Sequence, residues 1–184
     1  MQLQAMNGMM KDQLYRYNVS SAMILGIAGG NGLNHVRKEK FRAVYGVDIN
    51  PCYLKQCAER YPSLKGCFYP VEADLTDDAK LPESDLIIAN LLIEYIGYKN
   101  FQRAVNKVSP EYVSCVIQIN SGEVFVSDSP YLHVFDGLNK VHHEIDKDGL
   151  TRSMDKIGYQ FIMEERKGLP NGKALLRLDY EKSK

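Results

Sequence analysis

The sequence Met23-Ile-Leu-Gly-Ile-Ala-Gly-Gly-Asn-Gly-Leu33 decides the fold, because an apolar run ends there in a glycine-rich loop. Residues 23–27 carry no charge, which predicts a short strand buried on both faces of a parallel sheet. Gly29, Gly30 and Gly32 then permit backbone angles closed to other residues and keep side chains away from main-chain N–H groups. The loop therefore predicts a place where a ligand touches the backbone. The alternative is a glycine-rich turn without a ligand.

A second apolar run, Ala43-Val-Tyr-Gly-Val-Asp48, predicts another strand that ends in a carboxylate. The gap after the glycine loop fits one helix, which we place over residues 33–40. In nucleotide-binding doubly wound sheets, an acidic residue at the end of the second strand accepts hydrogen bonds from ribose hydroxyls. Asp48 is therefore predicted to bind a ribose. Alternatively, it starts a turn before Asn50 and Pro51, which have the pattern of a helix cap and first turn.

The spacing of the small residues distinguishes between two classes of nucleotide. The dinucleotide pattern Gly-x-Gly-x-x-Gly fails, because its third position falls on a large residue from every possible start. Ala28-x-Gly30-x-Gly32 instead resembles the first motif of the class I S-adenosylmethionine-dependent methyltransferases. Two residues depart from that motif. Ala28 replaces the first glycine, and Gly26 stands where the family usually carries an acidic residue that helps to hold the methionine ammonium.

A third motif, Ala73-Asp74-Leu75, follows a strand predicted from Cys67. It resembles the adenine-edge motif of the same family. This resemblance implies that Asp74 accepts a hydrogen bond from the adenine amino group. Alternatively, Asp74 caps the turn that begins at Thr76.

A fourth apolar strand is predicted to end at Asn90. Ligands in open α/β sheets bind beyond the carboxyl ends of the strands, so Asn90 is expected beside the cofactor's methionine half. The resemblance implies that Glu94 and Tyr95 lie near the methyl group; alternatively, they form the solvated start of a helix. Leu91-Leu92 replaces the two prolines found in methyltransferases that act on planar amide or base nitrogens, which disfavours such acceptors.

Residues 121–145 show no clear periodicity, and so long a connection in a compact domain is usually functional or disordered. They leave the tip of the fifth predicted strand, so we expect a substrate-side loop. Tyr131, His133 and Phe135 alternate there, and an extended segment would present all three to one side. His133 is therefore a candidate general base. The alternative is a surface loop with His133 in solvent.

The predicted site combines these motifs. The predicted cofactor-binding residues are Ala28, Gly29, Gly30, Gly32, Asp48, Ile49, Ala73, Asp74, Leu75 and Asn90. The predicted catalytic residues are Glu94, Tyr95 and His133, and no metal site is predicted.

The remaining periodicities complete an α/β fold. Apolar residues recur at helical spacing in 54–61, 101–108 and 150–157, and strands are predicted at 112–119, 159–163 and 174–178. The terminal strand pair resembles the antiparallel hairpin by which the methyltransferases differ from dinucleotide-binding folds. We predict a doubly wound, seven-stranded mixed sheet of the class I methyltransferase type, with the last strand pair an antiparallel hairpin. It forms a single domain over residues 1–184, with an N-terminal extension at residues 1–20.

Composition limits the class of partner. Lys and Arg number 23 and so do Asp and Glu, so no overall field attracts nucleic acid or an anionic membrane. The four cysteines form no CxxC pair or zinc-finger pattern, and we expect them to be reduced. No apolar run approaches the ~20 residues of a membrane span, and no signal-peptide core is present. We expect a soluble cytoplasmic protein.

The resemblance implies an S-adenosylmethionine-dependent methyltransferase that acts on a small-molecule acceptor. Alignment of the two reactants would supply most of its acceleration. Two alternatives remain open. One is a degenerate, S-adenosylmethionine-binding protein with a regulatory or interaction role, motivated by Gly26. The other is a nicotinamide oxidoreductase, which the glycine spacing and the terminal hairpin disfavour.

Overall fold

A computed structural model describes residues 2–120 and 143–184, which form one seven-stranded sheet covered by helices on both faces. The strands are β1 Ser21–Leu25, β2 Ala43–Asp48, β3 Phe68–Glu72, β4 Leu86–Asn90, β5 Tyr112–Asn120, β6 Tyr159–Gly168 and β7 Lys173–Lys182. The helices are α1 Gln2–Tyr15, α2 Pro51–Arg60, α3 Ile93–Val108 and α4 Lys147–Asp155, with short 3₁₀ turns at Leu33–His35 and Pro62–Leu64.

The sheet confirms the predicted fold class. Its strand order is β3-β2-β1-β4-β5-β7-β6, and β7 runs antiparallel to both β5 and β6. The order reverses between β1 and β4, so the crevice beyond their carboxyl ends is where an open α/β sheet binds its ligand. A cleft of about 560 Å³ lies at the opposite edge of the sheet, with Arg42, Asp85 and Glu111 in its lining.

Two apolar layers sandwich the sheet. The first lies under α1 and α2 and includes Leu14 of α1 and Cys57 of α2, while the second lies under α3 and α4. Every residue of β1 is buried, as predicted for a strand covered on both faces. None of the helices within residues 2–120 and 143–184 combines the length and apolarity needed to cross a membrane.

The prediction of a helix over residues 33–40 is wrong. The chain makes a 3₁₀ turn at Leu33–His35 and then takes an extended backbone conformation, with φ −66° and ψ 135° at Val36. Helix α1 already covers this part of the sheet, and a Cβ at Gly32 would lie 2.6 Å from Met10 Cε. The N-terminal residues therefore take the packing position that the sequence assigned to a crossover helix.

Candidate functional site

The glycine loop is held against the end of β2 by one carboxylate. Asp48 Oδ2 accepts the Ala28 N–H at 2.9 Å, and Oδ1 accepts the Asn50 N–H at 2.9 Å. Ala28 has φ +44° and Gly30 has φ +78°, so the loop uses the left-handed region repeatedly, and at Gly30 a glycine accepts it without strain. Since a carboxylate offers about four lone-pair sites, these two bonds leave Asp48 acceptor capacity for a ligand.

The turn predicted as the alternative role for Asp48 is also present. The Asn50 side chain accepts the Cys52 N–H at 3.0 Å and caps α2, whose first residue is Pro51. Asp48 therefore shapes the loop and the start of α2 while facing a cavity.

That cavity, which we call the acidic cavity, encloses about 220 Å³ beyond β1, β2 and β3. It brings together five of the predicted cofactor residues, with Tyr95 from the predicted catalytic set. Its lining consists of Gly26, Asp48, Ile49, Ala73, Asp74, Leu75, Thr76, Leu92, Tyr95 and Ile96. Asp48 and Asp74 are the carboxylates in this lining.

Asp74 makes the cap contact that the sequence allowed. Its Oδ1 accepts the Thr76 N–H at 2.8 Å and the Thr76 hydroxyl at 2.6 Å. The hydroxyl bond, followed by the backbone bond, lowers the pKa of Asp74, so the carboxylate stays ionised at neutral pH. Both bonds end on one oxygen of a side chain that faces the cavity.

A kink in α3 separates the two predicted catalytic residues of that helix from its main body. Gly97 has φ +73° and ψ 166°, which leaves the turn that carries Glu94 and Tyr95 as a separate unit. Tyr95 is 47% exposed and lines the acidic cavity. Glu94 is buried, and its Oε1 accepts the Gln118 N–H of β5 at 3.1 Å. The structure thus brings Tyr95 to the acidic cavity, whereas Glu94 faces β5.

The predicted substrate-side loop is described only at its end. Residues 121–142, and His133 with them, lie outside the described residues. His143 N–H donates to the Glu94 carbonyl at 2.7 Å, and a Cβ at Gly97 would lie 3.1 Å from His143 Nε2. The end of the loop therefore packs on the kinked turn beside the acidic cavity.

A second cavity of about 810 Å³, which we call the α1 chamber, lies between α1 and the glycine loop. Its lining consists of Gln2, Leu3, Met6, Asn7, Met10, Ile24, Leu25, Gly26, Ile27, Ala28, Gly29, Asn31, Asn34, Arg60, Tyr61, Asn90 and Leu91. Gly26 belongs to both cavities, so they meet at the end of β1. Among these lining residues Arg60 is the only one with a charged side chain.

Asn90 lies at the rim of the α1 chamber, where its carboxamide pairs with that of Gln13. Asn90 Nδ2 donates to Gln13 Oε1 at 2.9 Å, and Gln13 Nε2 donates to Asn90 Oδ1 at 3.0 Å. Gln13 Nε2 also donates to the Ser114 hydroxyl at 2.8 Å, and Gln13 is fully buried. The predicted cofactor residue Asn90 is therefore oriented by α1.

The pair continues into a buried ionic network that the sequence interpretation missed. Arg177 Nε donates to Asp179 Oδ1 at 2.9 Å, and its Nη1 donates to Asp12 Oδ2 of α1 at 2.7 Å. Ser114 donates to Asp179, and Tyr17 donates to Asp179 Oδ2 at 2.7 Å. Burial alone lowers the pKa of Arg177, but the bonds to Asp179 and Asp12 raise it, so the cation is retained.

A sequence signal for this network exists. Arg177 and Asp179 are two residues apart in an otherwise apolar strand, so they project from the same face of β7. Charged residues in such a strand indicate a buried pair, because an unpaired buried ion is very costly. Their partner Asp12 on α1 carries no comparable signal.

Comparison with known proteins extends the structural result. No family model matches the sequence, and no curated protein matches it. The methyltransferase domain of bacterial CtHen1-C matches 98% of this chain over 98% of its own, with a TM-score of 0.72 and 16% identity. The fold is that of the class I methyltransferases.

Two further solved structures share this fold. The N-methyltransferase NodS from Bradyrhizobium japonicum WM9, in complex with S-adenosyl-L-homocysteine, has a TM-score of 0.71 and is 10% identical. The match covers 98% of this chain and 87% of NodS. The [4+2]-cyclase SpnF has a TM-score of 0.72 at 9% identity, and the match covers 97% and 81% of the two chains. At these identities the likeness concerns the fold, and sites must be argued from this chain's own residues.

Proposed function

We propose that the protein is an S-adenosylmethionine-dependent methyltransferase that acts on a small molecule in the cytoplasm. The observation that carries this proposal is the acidic cavity, where two carboxylates stand at consecutive strand ends beside a loop held by Asp48. Nucleoside hydroxyl and amino groups are hydrogen-bond donors, and carboxylates are acceptors only, so the chemistry fits. NodS, which has the same fold, contains S-adenosyl-L-homocysteine.

The chain's residues fit the cofactor at its nucleoside end. Asp48 would accept from the ribose hydroxyls, and Asp74 from the adenine amino group, with Ile49, Ala73 and Leu75 as the apolar surroundings. When bound, S-adenosylmethionine supplies an electrophilic methyl group. The glycine loop and Asn90 would border its methionine half, whose ammonium would be held mainly by backbone carbonyls or water, because Gly26 provides no carboxylate.

The proposed catalytic contribution of the chain is mainly positioning. Tyr95 lies in the wall of the acidic cavity and is the predicted residue best placed to touch the reacting groups. Glu94 would fix the kinked turn through Gln118. His133 stays a prediction as a general base for an O or N acceptor. Holding the reactants in line supplies most of the acceleration in such transfers.

A second candidate is a cofactor-binding protein with a regulatory or interaction role. Gly26 motivates it, because a Cβ there would lie 2.9 Å from Leu92 Cδ1. Apolar Leu92 thus packs where a side chain of residue 26 would begin. SpnF, named as a cyclase, has the same fold, so the fold alone does not imply methyl transfer.

Calorimetry with S-adenosylhomocysteine tests the cofactor site. The Asp48→Ala variant should bind it more weakly by roughly 1–3 kcal/mol, because hydrogen bonds to a charged acceptor are lost. The Asp77→Ala variant is the matched control, since Asp77 is exposed and outside the acidic cavity lining. Equal affinity in the folded Asp48→Ala variant would refute the assignment.

A labelled-methyl assay then separates the two candidates. The parent protein is incubated with S-adenosylmethionine and a panel of small-molecule acceptors, and transfer is measured. Transfer to one acceptor class supports the methyltransferase. Tight binding of S-adenosylhomocysteine without transfer to any acceptor favours the regulatory protein.

A further inference from the structure

We propose that Gln13 is a positioning residue, which turns one lone pair of the Asn90 carboxamide towards the α1 chamber. There this oxygen accepts a hydrogen bond from the ammonium of the bound cofactor. The inference rests on the proposed function, and it adds a side-chain acceptor to the backbone carbonyls and water that would otherwise hold the ammonium. Asn90 thereby replaces the carboxylate that Gly26 does not provide.

Asn90 stands level with Gly26 on the neighbouring strand. In the parallel pairing of β1 with β4, Leu25 lies beside Ala89. Gly26 and Asn90 are the next residues of the two segments, and neighbouring strands are about 4.8 Å apart. Both residues line the α1 chamber. The Asn90 carboxamide is therefore within reach of a group that a side chain of residue 26 would bind.

Gln13 occupies the side of Asn90 that faces away from the chamber. In their reciprocal pair, Asn90 Nδ2 donates to Gln13 Oε1 at 2.9 Å and Gln13 Nε2 donates to Asn90 Oδ1 at 3.0 Å. A carboxamide has two N–H groups and two acceptor lone pairs, so Asn90 keeps one of each. Gln13 is fully buried and outside the chamber lining, whereas Asn90 belongs to it. The remaining N–H and lone pair of Asn90 are therefore on the chamber side.

Ser114 decides which way round the pair of carboxamides stands. Taken alone, both amides could turn over together and keep their reciprocal bonds. The Ser114 hydroxyl donates its single proton to Asp179, so it can only accept from Gln13, whose Nε2 donates to it at 2.8 Å. Arg177 Nε donates to the same hydroxyl at 3.2 Å. Turning the pair over would set Gln13 Oε1 against an oxygen that has no proton left to give.

The buried ion pair behind Ser114 sets the direction of this chain of hydrogen bonds. Asp179 accepts from Arg177 Nε at 2.9 Å and from Arg177 Nη2 at 2.6 Å. An ionised carboxylate has no proton to donate, so the Ser114 hydroxyl must point towards it. The charge of the pair thus determines, through Ser114 and Gln13, which atoms Asn90 offers to a ligand.

The lone pair that remains on Asn90 Oδ1 suits an ammonium group. An ammonium has donors only, and a carboxamide oxygen is an acceptor. Among the lining residues of the α1 chamber there is no carboxylate, so their side chains offer the ammonium no ionic partner. Arg60, the charged side chain of this lining, is itself a cation and donates to the Gly29 carbonyl at 3.4 Å. A neutral acceptor held in one direction is therefore what the chain provides for the ammonium.

The test compares two ligands by calorimetry on the full chain: S-adenosylhomocysteine and its des-amino analogue, in which hydrogen replaces the amino group. The parent protein should bind S-adenosylhomocysteine more tightly than the analogue. Gln13→Met should lower the ratio of the two affinities about threefold, because Asn90 can then rotate away from the ammonium. Asn90→Leu should lower it about tenfold, because the acceptor of a charged donor is lost.

Gln102→Met is the matched control for the loss of a glutamine side chain. Gln102 Nε2 donates to the Ser153 carbonyl at 2.7 Å, and the residue lies outside the lining of both cavities. This variant should keep the parental ratio of affinities. Thermal unfolding identifies variants that fail to fold. If Gln13→Met does not fold, Ser114→Ala takes its place with the same expected result, because it removes the group that orients Gln13 and leaves the pair with Asn90.

The ratio of affinities separates a positioning role from a structural one. If Gln13→Met folds and weakens both ligands equally, Gln13 only supports the chamber wall, and the proposal is overturned. A parental ratio in the folded Gln13→Met and Asn90→Leu variants would overturn it as well. If the parent protein fails to bind S-adenosylhomocysteine, the proposed function fails and this inference fails with it, whereas binding with an unchanged ratio refutes this inference alone.

Discussion

The acidic cavity and the α1 chamber meet at Gly26, yet they are built in opposite ways. The acidic cavity is made by short segments at strand ends, and its carboxylates Asp48 and Asp74 lie inside local sequence motifs. The α1 chamber depends on contacts between distant parts of the chain, such as Gln13 with Asn90, 77 residues apart. Local motifs therefore identify the first cavity, whereas only the folded chain reveals the second.

The two cavities also differ in where charge lies. In the acidic cavity the carboxylates face the ligand space. The lining of the α1 chamber contains one charged side chain, Arg60, and the buried network of Arg177 and Asp179, which ties α1 to β7, lies outside that lining. We infer that the first cavity depends on its surface chemistry and the second on the docking of α1.

The largest expected effect is the loss of stability when the contact between α1 and β7 is broken. Arg177→Met should lower the free energy of unfolding by about 3–5 kcal/mol, because Asp179, itself fully buried, would lose its cation. Urea denaturation measures it. Lys147→Met is the control, since the Lys147–Glu164 pair is 44% and 38% exposed and should be worth less than about 1 kcal/mol. Similar losses in the two variants would mean that the buried network does not hold α1.

A smaller loss is expected where the network reaches the rim of the chamber. Gln13→Met should cost roughly 1–3 kcal/mol of unfolding free energy, because Ser114 and Asn90 lose hydrogen-bond partners. Gln2→Met is a matched control, since Gln2 makes a weaker contact to Gln118 at 3.3 Å. If the two variants lose the same free energy of unfolding, the Gln13–Asn90 pair contributes no more to stability than the peripheral hydrogen bond of Gln2.

The junction itself can be tested with a pair of glycines. Gly26 has φ +66° and Gly66 has φ +84°, so alanine should cost about 1–2 kcal/mol of unfolding free energy at each position. A Cβ at Gly26 would also lie 2.9 Å from Leu92 Cδ1, whereas one at Gly66 has nothing within 4 Å. Gly26→Ala should therefore be the more destabilising, and Leu92→Ala in the same chain should remove the difference. An equal loss of unfolding free energy at the two positions would show that the Leu92 side chain moves away from residue 26 without a measurable cost.

The sequence predicted those parts of the molecule that short-range patterns determine. Strand β2 was predicted at its observed limits, Ala43–Asp48, because an uninterrupted apolar run ends there in a carboxylate. Asp48 was found because it ends that run, and Asp74 because Ala73-Asp74-Leu75 resembles the adenine-edge motif of the methyltransferases, although their binding roles stay predictions. Glu94 and Tyr95 were predicted together, but as consecutive residues of one helical turn they point to different sides: Tyr95 lines the acidic cavity, whereas Glu94 accepts the Gln118 N–H of β5.

The rest depends on tertiary contacts. Residues 33–40 were given a helix because the gap between β1 and β2 had room for one, but α1 occupies that packing position. Helix α1 extends over Gln2–Tyr15, within the segment described from the sequence only as an N-terminal extension, and its methionines are buried by partners distant in sequence. Predicting the network of Arg177 would likewise have required the register of β7 beside β5, which places Asp179 opposite Ser114.

The smallest expected effect concerns His35, which joins α1 to the glycine loop through Asn7. Burial, and then the positive charge of Lys11, lower its pKa below 6.5, with Arg37 adding to the same direction. The fold therefore favours the neutral imidazole, whereas the unfolded chain takes up a proton as the pH falls through 6.5. The free energy of unfolding should decrease from that point until the pH reaches the folded-state pKa. Urea denaturation between pH values of about 7.5 and 5.5, which bracket the unfolded pKa, should show a shallower decrease in His35→Gln. Lys11→Gln should lie between it and the parent, because burial remains when the nearby charge is gone. A decrease of equal size in all three proteins would assign the pH dependence to other groups.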